Sequence, residues 1–102
     1  MEYTILVIEE AENELDESFI WYETQKIGLW DEFIQYIQIS FDFIKNHPES
    51  SEKKKKNIYR HLMNKFPFGI YYTIEKEVNQ IQIIAILHFK RNPKIWRKRL
   101  KK

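Results

Sequence analysis

The clearest pattern of apolar and polar positions lies between Trp30 and Ile44, where large apolar side chains recur at i, i+3, i+4, i+7, i+11 and i+14. This spacing places them on one face of an amphipathic helix. A second helix is predicted over Ala11–Lys26, which is dense in helix-forming residues, and Gly28 follows as its C-cap. Because only a few residues separate the two segments, we expect an antiparallel helical hairpin.

Four further segments have the composition of β-strands, with many β-branched and aromatic residues. They are Tyr3–Ile8, Ile58–Met63, Phe68–Glu75 and Gln80–Phe89. The element order predicts an α+β fold, β-α-α-β-β-β, in which an N-terminal strand and the helical hairpin pack on one face of a small antiparallel sheet. At 102 residues the chain is expected to form a single domain.

The last two strands predict a hairpin whose register decides which side chains share a face. Pairing Glu75 with Gln80 is followed by the pairs Ile74–Ile81, Tyr72–Ile83, Ile70–Ala85 and Phe68–Leu87. This register presents one wholly apolar face to the helices and places Tyr71 and His88 together on the opposite face. That second face is half apolar, so we expect a partner or the C-terminal segment to cover it.

Two polar segments are predicted to lie outside the core elements. The sequence Asn46–Ser51 ends the second helix because Pro48 cannot continue it, and Lys53–Lys56 then forms a solvated basic loop. Beyond Pro93, residues Lys94–Lys101 are expected to form a short basic helix or tail.

The composition narrows the class of protein. With 43% hydrophobic residues and 16% aromatic residues, the chain has enough apolar surface to fold. It contains no cysteine, which excludes disulfides and thiolate metal sites and fits a reducing compartment. The longest purely apolar run, Ile83–Leu87, is five residues, and the N-terminus has no basic segment. We therefore expect neither a membrane span nor a signal peptide, and a cytoplasmic protein.

Charge is distributed unevenly along the chain. Residues 1–50 carry 12 acidic and two basic residues, whereas residues 51–102 carry 15 basic and three acidic ones. One interpretation is a basic, partner-facing surface built from the second half. The alternative is that acidic helices and basic strands attract one another within one small domain, and both can hold together.

Two separated blocks of residues carry a family resemblance. The first block contains Ala11-x-x-Glu14-Leu15, Trp21-Tyr22-Glu23-x-Gln25-x-x-Gly28-Leu29 and Phe33. The second contains Tyr59-Arg60, Phe66-Pro67-Phe68-x-Ile70-x-Tyr72, Ile83 to His88, Arg91, Pro93, Trp96 and Arg99. In these residues, over nearly its whole length, the chain resembles toxins of the RelE/ParE superfamily, a plasmid stabilisation family that supplies the toxin of bacterial type II toxin–antitoxin systems. Trp30 departs from the pattern, since family members commonly carry a second glycine there.

The resemblance implies a helical hairpin on an antiparallel sheet, no cofactor, and a cognate antitoxin that silences the toxin. It leaves the target open. Some members cleave mRNA in the ribosomal A site, others poison DNA gyrase, and a degenerate member would bind only its antitoxin. Ribosome-dependent mRNA cleavage is the expectation here, with the gyrase poison as the alternative.

RNA cleavage requires a base, an acid and cations around one phosphate. His88 is the candidate base or acid, Tyr71 a proton donor or stacking ring, and Arg60 and Arg91 phosphate clamps. The structural alternatives are a strand-end histidine bonded to backbone and ordinary cross-strand packing of the tyrosine. Ribonuclease members usually carry an arginine on the strand that here offers Gly69 and Tyr71, so Arg60 or Arg91 must replace it.

Further basic side chains are candidates for contact with ribosomal RNA, mRNA or an acidic antitoxin segment, although such runs are often merely solvated. They are Lys53, Lys54, Lys55, Lys56, Lys65, Lys90, Arg97 and Arg99. Trp96 is expected either to stack on a base or to anchor the C-terminal segment on the sheet. The three histidines lack metal-ligand spacing, so no metal is predicted.

Overall fold

The structure is a computed structural model, and it describes residues 2–91 and 94–99. Its elements are β1 (Thr4–Val7), α1 (Glu9–Gln25), α2 (Leu29–Asn46), β2 (Glu52–Lys55), β3 (Ile58–Leu62), β4 (Phe68–Glu75), a 3-10 turn (Lys76–Val78), β5 (Gln80–His88) and α3 (Lys94–Lys98). The predicted α+β fold and element order are confirmed, with β2 as one additional strand. The predicted effect of Pro93, and the part of the C-terminal segment beyond Arg99, lie outside the described residues.

The five strands of the described residues form one sheet in the order β1-β5-β4-β3-β2. β1 pairs with β5 in parallel through residues Thr4–Val7 and Gln80–Ile83, and the other pairs are antiparallel. The sheet is therefore mixed, because the chain passes from β1 through both helices to the opposite edge of the sheet and reaches β5, the neighbour of β1, only after β2, β3 and β4. Beyond Ile83, β5 pairs with no other strand of the described residues on its β1 side.

The helical hairpin packs on one face of the sheet. Phe33, Ile37 and Ile44 are buried and lie on the face of α2 that periodicity predicted. Gly28 adopts a φ of 88°, a left-handed conformation that glycine enters without strain, and stands at the start of α2. The tight connection is closed by Trp30, whose backbone N–H donates to the Glu23 carboxylate at 3.1 Å.

A cluster of aromatic rings joins the hairpin to the sheet. Phe33 is fully buried, and its ring centroid lies 5.1 Å from Phe66, 5.1 Å from Phe68 and 5.2 Å from Tyr22. Trp30 extends this cluster at 5.5 Å from Phe33, so the large ring at the family's glycine position adds to the packing. Burial of one such ring contributes about 2–3 kcal/mol.

The lysine run is not the loop that the sequence predicted. Lys53, Lys54 and Lys55 belong to β2, which pairs with β3 as an edge strand and is exposed along its whole length. A run of lysines in the sequence is typical of a solvated loop. An edge strand also leaves every lysine in solvent, so the same run is compatible with β2. Lysines, together with a bulge between Lys53 and Lys55, oppose the addition of another strand at this edge.

The β4–β5 register agrees with the prediction at first and then shifts. The pairs from Glu75↔Gln80 to Tyr72↔Ile83 are confirmed, but a bulge next to Tyr71 adds one residue to β5. The chain continues with Tyr71↔Ala85, Ile70↔Ile86, Gly69↔Leu87 and Phe68↔His88, so the predicted pairs Ile70–Ala85 and Phe68–Leu87 are wrong. One extra residue exchanges the two faces of a strand, and beyond the bulge Ile86 and His88 turn towards the helices.

Candidate functional site

The bulge divides the predicted catalytic residues between the two faces of the sheet. On the helix side, His88 and Arg91 line an open groove of about 520 Å³, which we call the helix-side groove. It is formed by Glu14, Glu17, Ser18, Trp21, Tyr22, Phe68, Ile86, His88, Lys90 and Arg91. On the opposite face, Tyr71 belongs to the outer-face cluster, formed by Ile58, Tyr71, Ile84, Ala85, Leu87 and Trp96. The prediction that Tyr71 and His88 share a face is wrong.

The helix-side groove has an aromatic wall. The Trp21 side chain is 57% exposed and makes an edge contact with Tyr22, with the ring centroids 5.0 Å apart. Phe68 meets the His88 ring at 5.3 Å. Sequence reasoning did not select Trp21 as a site residue. The only indication in the sequence is that Trp21 lies among the polar positions of α1, and a tryptophan usually packs into the protein interior.

His88 is held at the end of β5 by backbone hydrogen bonds. The Lys90 N–H donates to His88 Nδ1 at 3.1 Å, and the Arg91 N–H donates to the His88 carbonyl at 2.9 Å. An Nδ1 that accepts a hydrogen bond places the proton of the neutral ring on Nε2. In this geometry His88 presents a donor to the groove, and to act as a base it would have to release the Lys90 N–H.

The charges around the groove have opposite signs on its two sides. α1 carries seven acidic residues and no basic one. Lys90 and Arg91, across from it, are exposed, and neither forms an ion pair with another described residue. The groove therefore combines two available cations with a helix that repels polyanions.

Arg99 is not part of an exposed patch, and the prediction is wrong for this residue. Its guanidinium donates to both oxygens of Glu14, at 3.1 and 2.9 Å, and to the Ile84 carbonyl at 2.7 Å. The Ile86 N–H also donates to Glu14, at 2.9 Å. With Glu14 only 5% exposed, this ion pair satisfies backbone groups of β5 where β1 has ended.

The outer face is closed by the C-terminal segment. Trp96 is 2% exposed and stacks on Tyr71 with a centroid distance of 5.3 Å and an interplanar angle of 19°. The predicted anchoring role of Trp96 is confirmed. Arg97 lies over the indole at 5.3 Å. The ring face of Tyr71 that would stack on a base is occupied by this contact.

Arg60 is held next to Tyr71 by neighbouring polar groups. Its aliphatic stem crosses Gly69, where an added Cβ would lie 3.2 Å from Arg60 Cδ. The guanidinium donates to Glu52 at 2.5 Å. Burial lowers the pKa of Arg60, but hydrogen bonds with Tyr71 and Glu52 outweigh it, so the pKa is raised overall. Arg60 therefore remains charged and is engaged by Glu52.

The remaining predicted basic residues do not form one patch. Lys53 lies 5.9 Å from the Tyr59 ring, Lys54 pairs with Glu52 at 3.6 Å, and Lys65 pairs with Glu32. Lys55 and Lys56 are exposed at the β2 end of the sheet. These side chains lie in different regions from the groove, which argues against a single electrostatic surface.

Two absences apply to residues 2–91 and 94–99. No group of three or more His, Asp or Glu side chains is placed to hold a metal ion. In the same residues no helix has both the length and the apolar character needed to cross a bilayer. His61 is instead packed against Phe43, with ring centroids 5.3 Å apart.

Comparisons with known proteins agree with this fold. The family described as ParE toxin of the type II toxin–antitoxin system parDE matches residues 5–93. A chain of the chromosomal ParDE system from P. aeruginosa is 13% identical with a TM-score of 0.72, covering 84% of this chain and 95% of that one. A chain of the RelBE2 toxin–antitoxin complex from Mycobacterium tuberculosis is 12% identical with a TM-score of 0.56, covering 86% and 99%. No curated protein matches significantly.

The two structural likenesses establish the fold alone, because their sequence identities are low. The family match is different in kind, since it covers most of the chain, including the residues of α1, β4 and β5 that carry the resemblance. The chain therefore belongs to the ParE toxin family, within the RelE/ParE superfamily, and is the toxin of a type II toxin–antitoxin system.

Proposed function

We propose that this toxin acts in the bacterial cytoplasm by binding a protein target, DNA gyrase, and not by cleaving mRNA. The observation that carries the proposal is the division of the predicted catalytic residues. Tyr71 and Arg60 lie on the outer face, whereas His88 lines the groove on the other face. Acid, base and cation must reach one phosphate within hydrogen-bond distance, and the sheet separates these groups.

The contacts that these residues make on each face of the sheet support the same proposal. His88 Nδ1 is engaged by the Lys90 N–H, which removes the free base that proton abstraction requires. Arg60 is engaged by Glu52, and the Tyr71 ring is covered by Trp96. A ribonuclease would have to break these contacts before each cycle, whereas a protein that binds its target through its surface has no such requirement.

The outer face offers a surface for a protein target. α3 carries Arg97 and Lys98 exposed on a segment anchored by the buried Trp96. An anchored helix with exposed cations holds its side chains at a fixed position, which lowers the entropic cost of docking. The family name adds weight to gyrase as the target, because the RelE/ParE resemblance implies gyrase poisoning for its ParE-type members.

A second candidate is mRNA cleavage within the helix-side groove alone. It is favoured by one observation, that His88, Lys90 and Arg91 line the same groove together with Glu17 and Ser18. In this case His88 would have to lose the Lys90 N–H contact and take up a proton on Nδ1, so that the imidazolium donates its Nε2 proton to the leaving oxygen while a carboxylate serves as the base.

Pulsed expression of the toxin, followed within minutes by mapping of mRNA 5′ ends, separates the two candidates when a gyrase supercoiling assay is run in parallel. We expect intact mRNA, a DNA-damage response and inhibition of purified gyrase. His88→Ala and Tyr71→Phe should change toxicity less than about threefold, whereas loss of a general acid or base costs about 10²–10⁴-fold. New translation-dependent 5′ ends that disappear in His88→Ala would contradict the proposal, as would a toxin without effect on growth.

A further inference from the structure

We propose that Glu14 and Arg99 are positioning residues for target binding. Their ion pair, which we call the edge clamp, closes the open edge of β5 and so fixes the described part of the C-terminal segment, residues 94–99, in the orientation that the target recognises. The inference rests on the proposed function, which assigns target contact to the exposed cations of this segment. It adds two residues that are too buried to meet the target themselves.

The edge clamp takes the place of a neighbouring strand. β1 pairs with β5 up to Ile83. Further along β5, the Ile86 N–H donates to Glu14 Oε1 at 2.9 Å. The Ile84 carbonyl accepts from Arg99 Nη1 at 2.7 Å. A strand at this edge would offer an acceptor to the same N–H group and a donor to the same carbonyl. Two side chains that are 85 residues apart in sequence therefore satisfy the edge that β1 leaves open.

The geometry of the edge clamp is specific. Arg99 Nη1 lies 3.1 Å from Glu14 Oε1, and Nη2 lies 2.9 Å from Oε2, so the guanidinium meets the carboxylate through two parallel hydrogen bonds. The Arg99 side chain is 14% exposed and that of Glu14 is 6% exposed. A buried pair adds little net stability over apolar side chains of the same size, because removing both charges from water offsets their attraction. The pair does give Arg99 one defined position, and this favours a positioning role.

The C-terminal segment is anchored at two points by different contacts. Trp96 is 2% exposed and stacks on Tyr71 on the outer face. Arg99, three residues later, reaches Glu14 on α1 at the helix side. A segment held by one side chain can still turn about that contact, and a helix of five residues is not stable by itself. A second anchor one turn along the segment removes this freedom.

The two exposed cations of the segment lie between its anchors. Arg97 and Lys98 directly precede Arg99, and Arg97 also lies over the Trp96 ring at 5.3 Å. With both anchors in place, the backbone of these two residues is fixed before the target arrives, which lowers the entropic cost of binding. Loss of the edge clamp should therefore weaken target binding, although Glu14 and Arg99 themselves are buried.

The test separates positioning from stability with a double variant, Glu14→Gln/Arg99→Met. Glutamine keeps an acceptor for the Ile86 N–H, methionine keeps most of the apolar stem of Arg99, and no charge is left buried without its partner. We expect a folded protein whose melting temperature is lowered by less than about 10 °C. Its affinity for purified DNA gyrase, measured by surface plasmon resonance, should fall by about tenfold.

Two single variants supply a rescue and a control. Arg99→Lys keeps a cation that donates to Glu14 from one point instead of a fork, and its gyrase affinity should stay within about threefold of the wild type. Glu49→Gln breaks the ion pair with Lys76, whose atoms lie 3.3 Å apart and whose side chains are 60% and 66% exposed. This change should alter the affinity less than about twofold, because an exposed pair holds no buried element in place.

A charge swap tests whether the β5 backbone is part of the edge clamp. Glu14→Arg/Arg99→Glu keeps opposite charges, but it turns an arginine towards the Ile86 N–H and a carboxylate towards the Ile84 carbonyl. Both contacts are then repulsive, so the swap should not recover the affinity. Recovery to the wild-type value would show that the β5 edge has no part in the pair, and it would overturn the inference.

The remaining outcomes distinguish this inference from the proposed function. Wild-type affinity in the folded double variant, or unchanged relaxation of its Arg97 and Lys98 backbone amides in NMR, overturns the inference and leaves gyrase binding in place. A double variant that does not fold shows that the pair is needed for stability and overturns the positioning role. An equal loss in Glu49→Gln shows a non-specific effect of charge and also overturns it.

A wild type that does not bind gyrase shows that the proposed function is wrong, and growth arrest then replaces affinity as the measurement. Toxicity retained by the double variant overturns the inference. Toxicity lost in the double variant but kept by Arg99→Lys supports it for whichever target the segment meets. A wild type without any effect on growth overturns both.

Discussion

The two faces of the sheet treat the same kinds of side chain in opposite ways around the C-terminal half of β5. On the helix side, Trp21 is largely exposed, and Lys90 and Arg91 remain available to a partner. On the outer face, Tyr71 and Trp96 are buried against each other, with exposures of 7% and 2%. One face is an open groove, and the other is closed by the protein's own C-terminal segment.

The difference shows that the face on which a residue lies matters as much as its type. A histidine, a tyrosine and two arginines between residues 60 and 91 suit RNA cleavage, but one extra residue in β5, opposite Tyr71 and Tyr72, directs His88 to the helix side. The same insertion brings His88 next to Trp21 and Arg91 in one groove. The bulge thereby separates the predicted catalytic residues and places His88 in the helix-side groove.

The largest expected effect is on the free energy of unfolding and comes from disrupting the packing of the helices on the sheet. Phe33→Ala should reduce the free energy of unfolding by about 4 kcal/mol, because Phe33 is fully buried and its ring joins α2 to Phe66 and Phe68. Urea unfolding measures the loss. Phe19→Ala is the matched control, since Phe19 is 42% exposed and should cost much less. A loss for Phe33→Ala below about 1.5 kcal/mol would show that this aromatic cluster is not the main core.

The outer face should lose its cover when the ion pair to α1 is broken. Arg99→Ala leaves the Glu14 carboxylate buried without its cation, and removal of one partner from a buried pair costs about 3 kcal/mol. The near-ultraviolet circular dichroism of Trp96 stacked on Tyr71 should weaken at the same time. Lys98→Ala, on the same segment but exposed, is the control. Unchanged stability and an unchanged spectrum would mean that Trp96 holds the segment without Arg99.

The helices and much of the sheet followed from the sequence, because their patterns are local. The apolar period between Trp30 and Ile44 has one solution, and the hairpin register was correct from Glu75 to Tyr72. The bulge could not be found, because Ile83–Leu87 is apolar at every position, and so either register buries apolar side chains. An uninterrupted apolar run removes the alternation that would reveal a shift.

The candidate site was less accessible to sequence reasoning, because its contacts join distant parts of the chain. Arg99 reads as part of a basic tail until Glu14, 85 residues earlier, is placed beside it. The groove combines α1 with the end of β5, and only the register decides that His88 faces Trp21. The anchoring of Trp96 was predictable, since a tryptophan near an uncovered, half-apolar face has few other places to lie.

The smallest expected effect is on the pH dependence of stability and comes from His61. Its neighbour on β3, Arg60, points to the opposite face of the sheet. Burial against the helix side lowers the pKa of His61 below its ordinary value of 6.5, whereas Arg60 keeps its charge beside Glu52. The unfolded chain therefore binds a proton on His61 at a higher pH than the folded chain does, and stability falls as the pH drops below 6.5. The loss stops growing below the folded-state pKa. The loss of stability should be smaller than either loss above, because His61 is only partly buried.

Urea midpoints measured between pH 5 and 7.5 should rise with pH in the wild type and rise less steeply in His61→Gln. His47→Gln, which changes an exposed histidine, is the control. An identical slope in His61→Gln would show that another group titrates, and that His61 is no more buried in solution than an ordinary surface histidine.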